Sequence, residues 1–179
     1  MYQQVLDFWF DETNSAKWFV KDPEFDKELT KHFKDLVLSA AAGECYSWRT
    51  NAYGRLAEII VLDQMSRNIF RDTPAAFAQD AMALTLAQEA VAAGLLDQFE
   101  ALDERRFILM PYMHSESKLI HVEAEKLFKK YTNEETYGFE IRHKVIVDRF
   151  GRYPHRNEIL GRVSTAEEVE FLKQPNSSF

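Results

Sequence analysis

Hydrophobic residues recur along most of the chain with the three- and four-residue spacing of amphipathic α-helices. The clearest stripe consists of Phe25, Leu29, Phe33, Leu36, Val37 and Ala40. No stretch alternates apolar and polar residues convincingly with the period of two that a half-buried β-strand requires. The pattern therefore predicts one all-α domain made of antiparallel helix pairs.

Residues with strong preferences for helix ends mark several boundaries. Asp22 followed by Pro23 predicts a helix start, because an N-cap carboxylate accepts from free backbone N–H groups and proline fits the first turn. Gly43 predicts the end of that helix, since glycine tolerates the left-handed conformation common there. In the same way, Asn133 and Gly151 predict the start and the end of a later helix.

Further boundary signals lie in the C-terminal half of the chain. Pro111 predicts an end or a kink of the helix that precedes it, because proline lacks the N–H group and clashes with the preceding turn. Ser115 is then a candidate N-cap for the next helix. Ser164 and Glu167 have the spacing of a capping box, which predicts the start of the last helix.

Length and charge limit the number of domains and the kinds of partner. A chain of 179 residues suits a single domain, which we place at 1–173, followed by a polar tail at 174–179. It carries 22 Lys and Arg against 29 Asp and Glu, which gives a net charge of −7. This acidic balance argues against nucleic acid or a membrane surface as the partner. No apolar run approaches the roughly 18 residues of a membrane span.

The cysteine content and the N-terminal segment bear on the compartment. The single cysteine, Cys45, excludes an internal disulfide and a Cys-based zinc site, and it fits a reducing compartment. The first residues have neither the basic start nor the small-residue cleavage site of a signal peptide. We therefore expect a cytoplasmic protein, with no indication of its oligomeric state.

Six sequence blocks are distinctive enough to compare with known families. They are VLDFWF at 5–10, KWF at 17–19, LDQMSRNIFR at 62–71, MPYMHSE at 110–116, RFGRYPHRN at 149–157, and LGR at 160–162 with ST at 164–165. In sequence and in order they resemble an uncharacterised, mainly bacterial family known as domain of unknown function 924. The resemblance implies an all-helical fold like that of tetratricopeptide-repeat proteins, without clear repeats in the sequence. It carries no activity, substrate or cofactor.

Three charged residues step by four along a helix predicted over 52–71. Helical winding of about 100° per residue puts Asp63, Arg67 and Arg71 on one face, below a turn that is apolar around its circumference. Asp63 can pair with Arg67, whereas Arg67 and Arg71 repel each other unless an anion lies between them. A basic helix end or an internal ion-pair network explains the same pattern. A ligand-binding cleft is the third interpretation, because charged residues are rarely buried unpaired.

The stretch from 149 to 162 is basic in an otherwise acidic chain, and Glu158 is its only acid. Its candidate binding residues are Arg149, Arg152, His155, Arg156 and Asn157. Pro154 predicts a short turn just after the preceding helix ends, and free backbone N–H groups at that turn favour an anion. The structural alternative is that these arginines tie loops to carbonyl groups near a helix end.

A third candidate group follows Pro111. His114 and Glu116 can exchange protons near neutral pH when suitably placed, which suits acid–base chemistry. A position in the first turn of a helix accounts for Glu116 without any function. The chain contains none of the standard ligand spacings of a metal site, so we expect no metal.

Two further features are expected to be structural. His143 lies on the packing stripe of its helix, where a histidine is usually a hydrogen-bonded core residue. Glu140, Lys144 and Asp148 follow one another at intervals of four residues, which predicts a solvated ladder of charges.

Together the three charged groups predict a binding site in a pocket between helices. Its residues are Asp63, Arg67, Arg71, His114, Glu116, Arg149, Arg152, His155, Arg156 and Asn157. The expected ligand is a small carboxylate or phosphate, or the acidic end of a peptide, and no cofactor is implied. Two alternatives stay open. One is an enzyme that uses His114 or His155 as general acid or base, and the other is an interaction module whose charges lock helices together.

Overall fold

A computed structural model of the protein describes residues 1–178, which form helices and no β-strand. The prediction of an all-α fold is confirmed. The α-helices are α1 (Tyr2–Trp9), α2 (Glu12–Ser15), α3 (Pro23–Ala41), α4 (Ala52–Ile60), α5 (Ser66–Ile69), α6 (Asp80–Ala92), α7 (Leu102–Met113), α8 (Lys118–Tyr131), α9 (Glu134–Phe150) and α10 (Ala166–Phe171). Short 3₁₀ turns occur at Tyr46–Thr50, Pro74–Phe77, Leu95–Gln98 and Pro154–Arg156.

Local capping chemistry sets several helix ends where the sequence predicts them. The carboxylate of Asp22 accepts from the backbone N–H of Glu24 at 3.0 Å, at the start of α3. The side-chain oxygen of Asn133 accepts from the backbone N–H of Thr136 at 2.9 Å, at the start of α9. Gly151 ends α9 with a φ of 70°, a left-handed conformation that favours glycine.

Two boundaries around the end of α7 differ from the prediction. Pro111 lies inside the last turn of this helix and does not end it. Residues 107–113 are all buried, so packing outweighs the hydrogen bond that the proline removes. The N-cap of α8 is Ser117 and not Ser115. The hydroxyl of Ser115 instead accepts from the backbone N–H of Ser117 at 3.2 Å.

The capping box of the last helix lies one residue later than the prediction of Ser164 and Glu167. Thr165 is the N-cap of α10, and its hydroxyl accepts from the backbone N–H of Glu168 at 3.2 Å. The Glu168 carboxylate accepts in return from the backbone N–H of Thr165 at 2.7 Å. Ser164 is held outside the helix because its hydroxyl accepts a hydrogen bond from Asn157.

A π-helical turn at Val61–Met65 joins α4 to α5 in one continuous run. Residues 56–66 are all buried, which confirms the predicted burial of the first half of this run. A π turn widens the helix by one residue and shifts the faces that later residues occupy. Asp63 lies inside the π turn, and the helix ends at Ile69, before Arg71.

Helices α7, α8 and α9 pack side by side. Lys118, at the start of α8, donates to the carbonyl of Asp148 near the end of α9, so these two helices run in opposite directions. A large apolar core includes most of the buried residues, and a small second cluster contains Ile146, Val147 and Tyr153. The likeness to tetratricopeptide-repeat proteins stays a prediction.

The C-terminal segment is packed at Ser177, which is buried and donates from its hydroxyl to the carbonyl of Leu172 at 3.1 Å. Phe179, the last residue of the predicted tail, lies outside the described residues. Among residues 1–178, no helix combines the length and the apolar character needed to cross a membrane.

Candidate functional site

Five charged or titratable side chains from four separate segments meet in one place, and we call them the polar cluster. They are Asp63, Arg67, Asp80, His114 and Arg156. Asp80, at the start of α6, connects the two arginines: Nη1 of Arg67 lies 2.9 Å from its Oδ1, and Nη1 of Arg156 donates to its Oδ2 at 3.1 Å. The structure therefore brings together one residue or more from each of the three charged groups seen in the sequence.

Asp63 is the buried anchor of the polar cluster. Its Oδ1 lies 2.7 Å from Nδ1 of His114 and 3.2 Å from Nη1 of Arg67, which confirms the predicted pairing with Arg67. Its Oδ2 accepts from the side-chain amide of Gln64 at 2.6 Å. Although burial raises the pKa of the Asp63 carboxyl, its contacts with His114 and Arg67 lower it well below its usual range. Asp63 is therefore an ionised acceptor at neutral pH.

His114 follows the last residue of α7 and is nearly buried, with 11% of its side chain exposed. Burial and the nearby charge of Arg67 lower the pKa of His114, so the ring is neutral at neutral pH. Its Nδ1 faces Asp63, while its Nε2 makes no hydrogen bond to any of residues 1–178. The contact with Asp63 orients the ring.

Arg156 lies between two aromatic rings. The carbon of its guanidinium group is 4.6 Å from the ring centroid of Phe77 and 4.6 Å from that of Tyr153. Its Nη2 donates to the carbonyl of His114 at 3.0 Å, but its buried Nε has no acceptor among residues 1–178. Burial and the charge of Arg67 lower the pKa of Arg156.

The carbonyl groups that leave the end of α7 each receive a side-chain donor. The hydroxyl of Tyr153 donates to the carbonyl of Met113, and Nη2 of Arg156 donates to that of His114. Nε2 of His121 donates to the carbonyl of Ser115 at 2.8 Å. The last carbonyls of a helix lack partners within it, so these three donors satisfy them and hold His114 in place.

His121 and Glu140 form a buried pair behind this segment, and the sequence did not indicate it. Both side chains are fully buried, and Nδ1 of His121 lies 2.8 Å from Oε1 of Glu140. Burial raises the pKa of Glu140. The prediction of a solvated ladder is therefore wrong for Glu140, because α8 packs over that face of α9. Lys144 and Asp148, at the more open end of α9, do form an ion pair.

The carboxylate of Glu116 lies at the turn where the sequence predicts a bound anion. Its carboxylate accepts from the backbone N–H of Tyr153, just before the Pro154–Arg156 turn, at 2.7 Å. It also forms a two-fold ion pair with Arg162, at 2.6 and 2.9 Å. Asn157 is buried and accepts from Nε of Arg162 at 3.0 Å, so it positions that arginine. The protein's own carboxylate thus satisfies the free N–H group.

Three arginines of the predicted site lie outside the polar cluster. Arg71 forms a two-fold pair with Asp26 of α3, at 2.6 and 2.9 Å, because the helix ends before it and the chain turns away. Arg149 pairs with Glu167, and Arg152 pairs with Glu168, at the side of α10. The basic character of this stretch is neutralised by acids that are distant in the sequence.

The two remaining histidines of the region pack against Tyr153. The ring of His155 lies 5.6 Å from that of Tyr153, and burial with the charge of Arg156 lowers its pKa to about 4. The ring of His143 lies 5.8 Å from Tyr153, and its Nδ1 bonds to the carbonyl of Phe139 at 2.8 Å. The predicted core role of His143 is confirmed.

Two surface depressions lie away from the polar cluster. One, of about 440 Å³, is lined by residues that include Cys45 and Trp48. Another, of about 390 Å³, is lined by residues that include Asp26 and Arg71. No residue of the polar cluster lines either one. Residues 1–178 also contain no group of three or more His, Cys, Asp or Glu side chains suited to a metal ion.

Comparison with known proteins assigns the chain to a family. The family model described as bacterial protein of unknown function, DUF924, matches residues 5–176. The chain belongs to the DUF924 family. The solved structure of a protein of unknown function from Agrobacterium tumefaciens is similar to this DUF924 chain, with a TM-score of 0.90 and 35% identity over 96% of each chain. No curated protein matches it.

Two residues of the DUF924 site were not among those predicted from the sequence. Asp80 is a single acid at the start of an Ala-rich helix, where it looks like an ordinary first-turn residue. Arg162 follows Gly161 in a turn, and its partner Glu116 lies 46 positions away in the sequence. The excess of arginine over acid in 149–162 was the only sequence signal that distant acids were needed.

The buried histidines predict a loss of stability in mild acid. The folded-state pKa values of His114, His143 and His155 are all lowered, so the unfolded chain binds more protons below about pH 6.5. The free energy of unfolding should therefore fall as the pH drops from about 6.5 towards 4, by up to about 1.4 kcal/mol per pH unit for each histidine. Urea unfolding at several pH values measures this slope.

Glu140 opposes the trend in part, since its raised pKa makes the folded state take up a proton on acidification. The variant His155→Phe should show a shallower slope than the wild type, because one of the three histidines is gone. A free energy of unfolding that is constant between pH 6.5 and 4.5 would contradict the prediction.

Proposed function

We propose that this DUF924 protein acts in the cytoplasm by binding a small anion at the polar cluster. The observation that carries the proposal is the buried Nε of Arg156, a charged donor without an acceptor among residues 1–178. Buried donors are almost always paired, so an unpaired one next to a second guanidinium is a suitable place for a carboxylate or phosphate oxygen. The acidic end of a peptide offers the same chemistry.

Electrostatics supports an anion at this place. The lowered pKa of Arg156 means that its surroundings destabilise the cation, and an added negative charge would restore it. Arg67 and Asp80 remain partly open, with 18% and 20% of their side chains exposed, so the cluster has a side that faces solvent. A ligand can approach Arg67 and His114 from that side.

The test is a ligand-dependent shift in thermal stability. Because only the folded state has the site, a ligand at 100 times its dissociation constant should add about 2.7 kcal/mol to the free energy of unfolding. Differential scanning fluorimetry with acetate, inorganic phosphate and an acidic peptide should therefore raise the melting temperature for at least one of them. No change with any of these anions would contradict the proposal.

Two matched variants locate the effect. Arg67→Lys keeps the charge but removes the planar fork that binds two oxygens, so the stability shift should shrink strongly. Arg149→Lys makes the same chemical change at an exposed pair outside the polar cluster and should leave the shift intact. Equal shifts in both variants would place the anion elsewhere.

The contact between Asp63 and His114 favours a second candidate, an enzyme that uses His114 as a general base. A carboxylate on Nδ1 orients the ring and leaves Nε2 to take a proton from a substrate. In that case the arginines stabilise negative charge that develops on the substrate. His155 is the other histidine of this candidate. Formation of a new product from a bound ligand would distinguish it from binding alone.

The third candidate is an interaction module whose charges are purely structural. It is favoured by the observation that each arginine of the region pairs with an acid. On that account, Arg152→Ala and His155→Ala would destabilise the ligand-free protein as much as Ile60→Ala, which removes core volume and should cost about 2–5 kcal/mol. On the binding account, Arg152 and His155 lie outside the polar cluster, so these two variants leave ligand affinity unchanged and cost much less stability. Urea unfolding of the three variants decides between these accounts.

A further inference from the structure

We propose that the anion bound at the polar cluster carries a hydroxyl group beside its acidic group, and that this hydroxyl donates to Nε2 of His114. The ligand class is thus a small hydroxy acid rather than a plain anion. The inference rests on the proposed anion-binding function and specifies its ligand. It follows from the hydrogen-bond pattern around Asp63 and His114.

The contact with Asp63 determines which ring nitrogen of His114 carries the proton. The Asp63 carboxylate accepts from Gln64 and forms an ion pair with Arg67, and an ionised carboxylate can only accept. The contact of 2.7 Å between Asp63 Oδ1 and His114 Nδ1 therefore requires a proton on Nδ1. A neutral imidazole has one ring N–H group, so Nε2 of His114 carries a lone pair.

The surroundings of His114 hold its ring in one orientation. Asp63 lies in a buried π turn and contacts Nδ1 at 2.7 Å, and the carbonyl of His114 accepts from Arg156 at 3.0 Å. The lone pair on Nε2 therefore stays directed away from Asp63. A ligand bound here must therefore present a hydrogen-bond donor to Nε2 of His114.

The acceptor Nε2 belongs to a cluster that also contains two positively charged side chains. Arg67 and Arg156 attract an anionic group, whereas the lone pair of His114 repels an anionic oxygen placed against it. A hydroxy acid satisfies both demands, with its acidic group on the guanidinium groups and its hydroxyl on Nε2. An ammonium group is a poorer donor here, because the two guanidinium groups repel it.

The experiment compares acids that differ only by a hydroxyl group. Isothermal titration calorimetry at pH 7.5 would measure lactate against propionate, and glycolate against acetate. We expect each hydroxy acid to bind about tenfold more tightly than its partner, since one good hydrogen bond changes affinity by about that factor. Equal affinities within both pairs overturn this inference and leave the proposed anion site standing. No binding of any of the four acids also overturns this inference, and the proposed function fails only if inorganic phosphate and the acidic peptide give no response either.

Two controls connect the preference to His114. In the wild type, protonation of His114 turns Nε2 into a donor, so the preference for the hydroxy acid should fall once the pH is low enough to protonate the ring, below its usual pKa. The charged groups that act on this ring are Asp63, Arg67 and Asp80, and the titratable rings of His143 and His155 also interact with it. The variant His114→Leu should bind lactate and propionate equally. A preference that survives both changes overturns the assignment to His114.

Discussion

Replacing Asp63 with alanine should lower the free energy of unfolding by about 3–5 kcal/mol, because it removes a buried carboxylate and leaves Arg67 with Asp80 as its remaining acid. Asp63 is fully buried and receives donors from Arg67, His114 and Gln64. The variant removes the one carboxylate that these three groups share. Urea unfolding followed by circular dichroism at pH 7.5 measures the loss.

Asp148→Ala is the matched control for this change. Asp148 also forms an ion pair at a spacing of four residues, with Lys144, but 43% of its side chain is exposed. Exposed pairs of this kind contribute about 0–1 kcal/mol, so the control should stay close to the wild type. If Asp63→Ala were as mild as Asp148→Ala, the polar cluster would not be the buried network that its geometry indicates.

The second large effect is expected at Gly54, where a side chain has no room. A Cβ atom added to this residue of α4 would lie 2.0 Å from the carbonyl oxygen of Trp48. That oxygen belongs to the backbone of the Tyr46–Thr50 turn and cannot rotate away as a side chain would. Gly54→Ala should therefore lower the free energy of unfolding by about 3 kcal/mol, at the upper end of overpacking costs.

Gly138→Ala is the matched control in α9. A Cβ atom there meets no other atom within 4 Å. Alanine is the better helix former by about 0.5–1 kcal/mol, so this variant should be more stable than the wild type. Opposite signs for the two variants in the same urea experiment are the expected result. A mild effect at Gly54 would mean that the Tyr46–Thr50 turn moves easily.

Side chains near the polar cluster bear on function as well as stability. Arg156 and Tyr153 satisfy carbonyl groups at the end of α7, in the segment that carries His114. Structural and ligand-binding roles are therefore combined in the same side chains. For this reason, the proposed experiments compare ligand effects with the stability of the ligand-free protein.

The sequence predicts the helices well because helix ends are decided by local chemistry. Asp22, Asn133 and Gly151 act within their own turns, so neighbouring residues are enough to place them. The predicted helix end at Pro111 and the predicted cap at Ser115 are wrong, because the packing around α7 and the start of α8 depends on residues that are distant in the sequence.

The sequence also shows where charged residues of one sign are in excess, but it does not show which residues they pair with. Asp63 and Arg67 are four residues apart on one helix, so their pairing could be predicted locally. Arg71 and Asp26 are 45 positions apart, and Arg156 and Asp80 are 76 apart. Such pairs form only when helices pack, and packing direction depends on the whole core.

What the sequence determined by itself is therefore the all-α fold, the buried first half of the central helix and the residues from which a polar site could be built. The tertiary structure decided that Asp63, His114 and Arg156 meet while Arg71 and Arg152 do not. The physical reason is that ion pairs between distant segments need both partners brought within about 4 Å, and only the packed helices fix that distance.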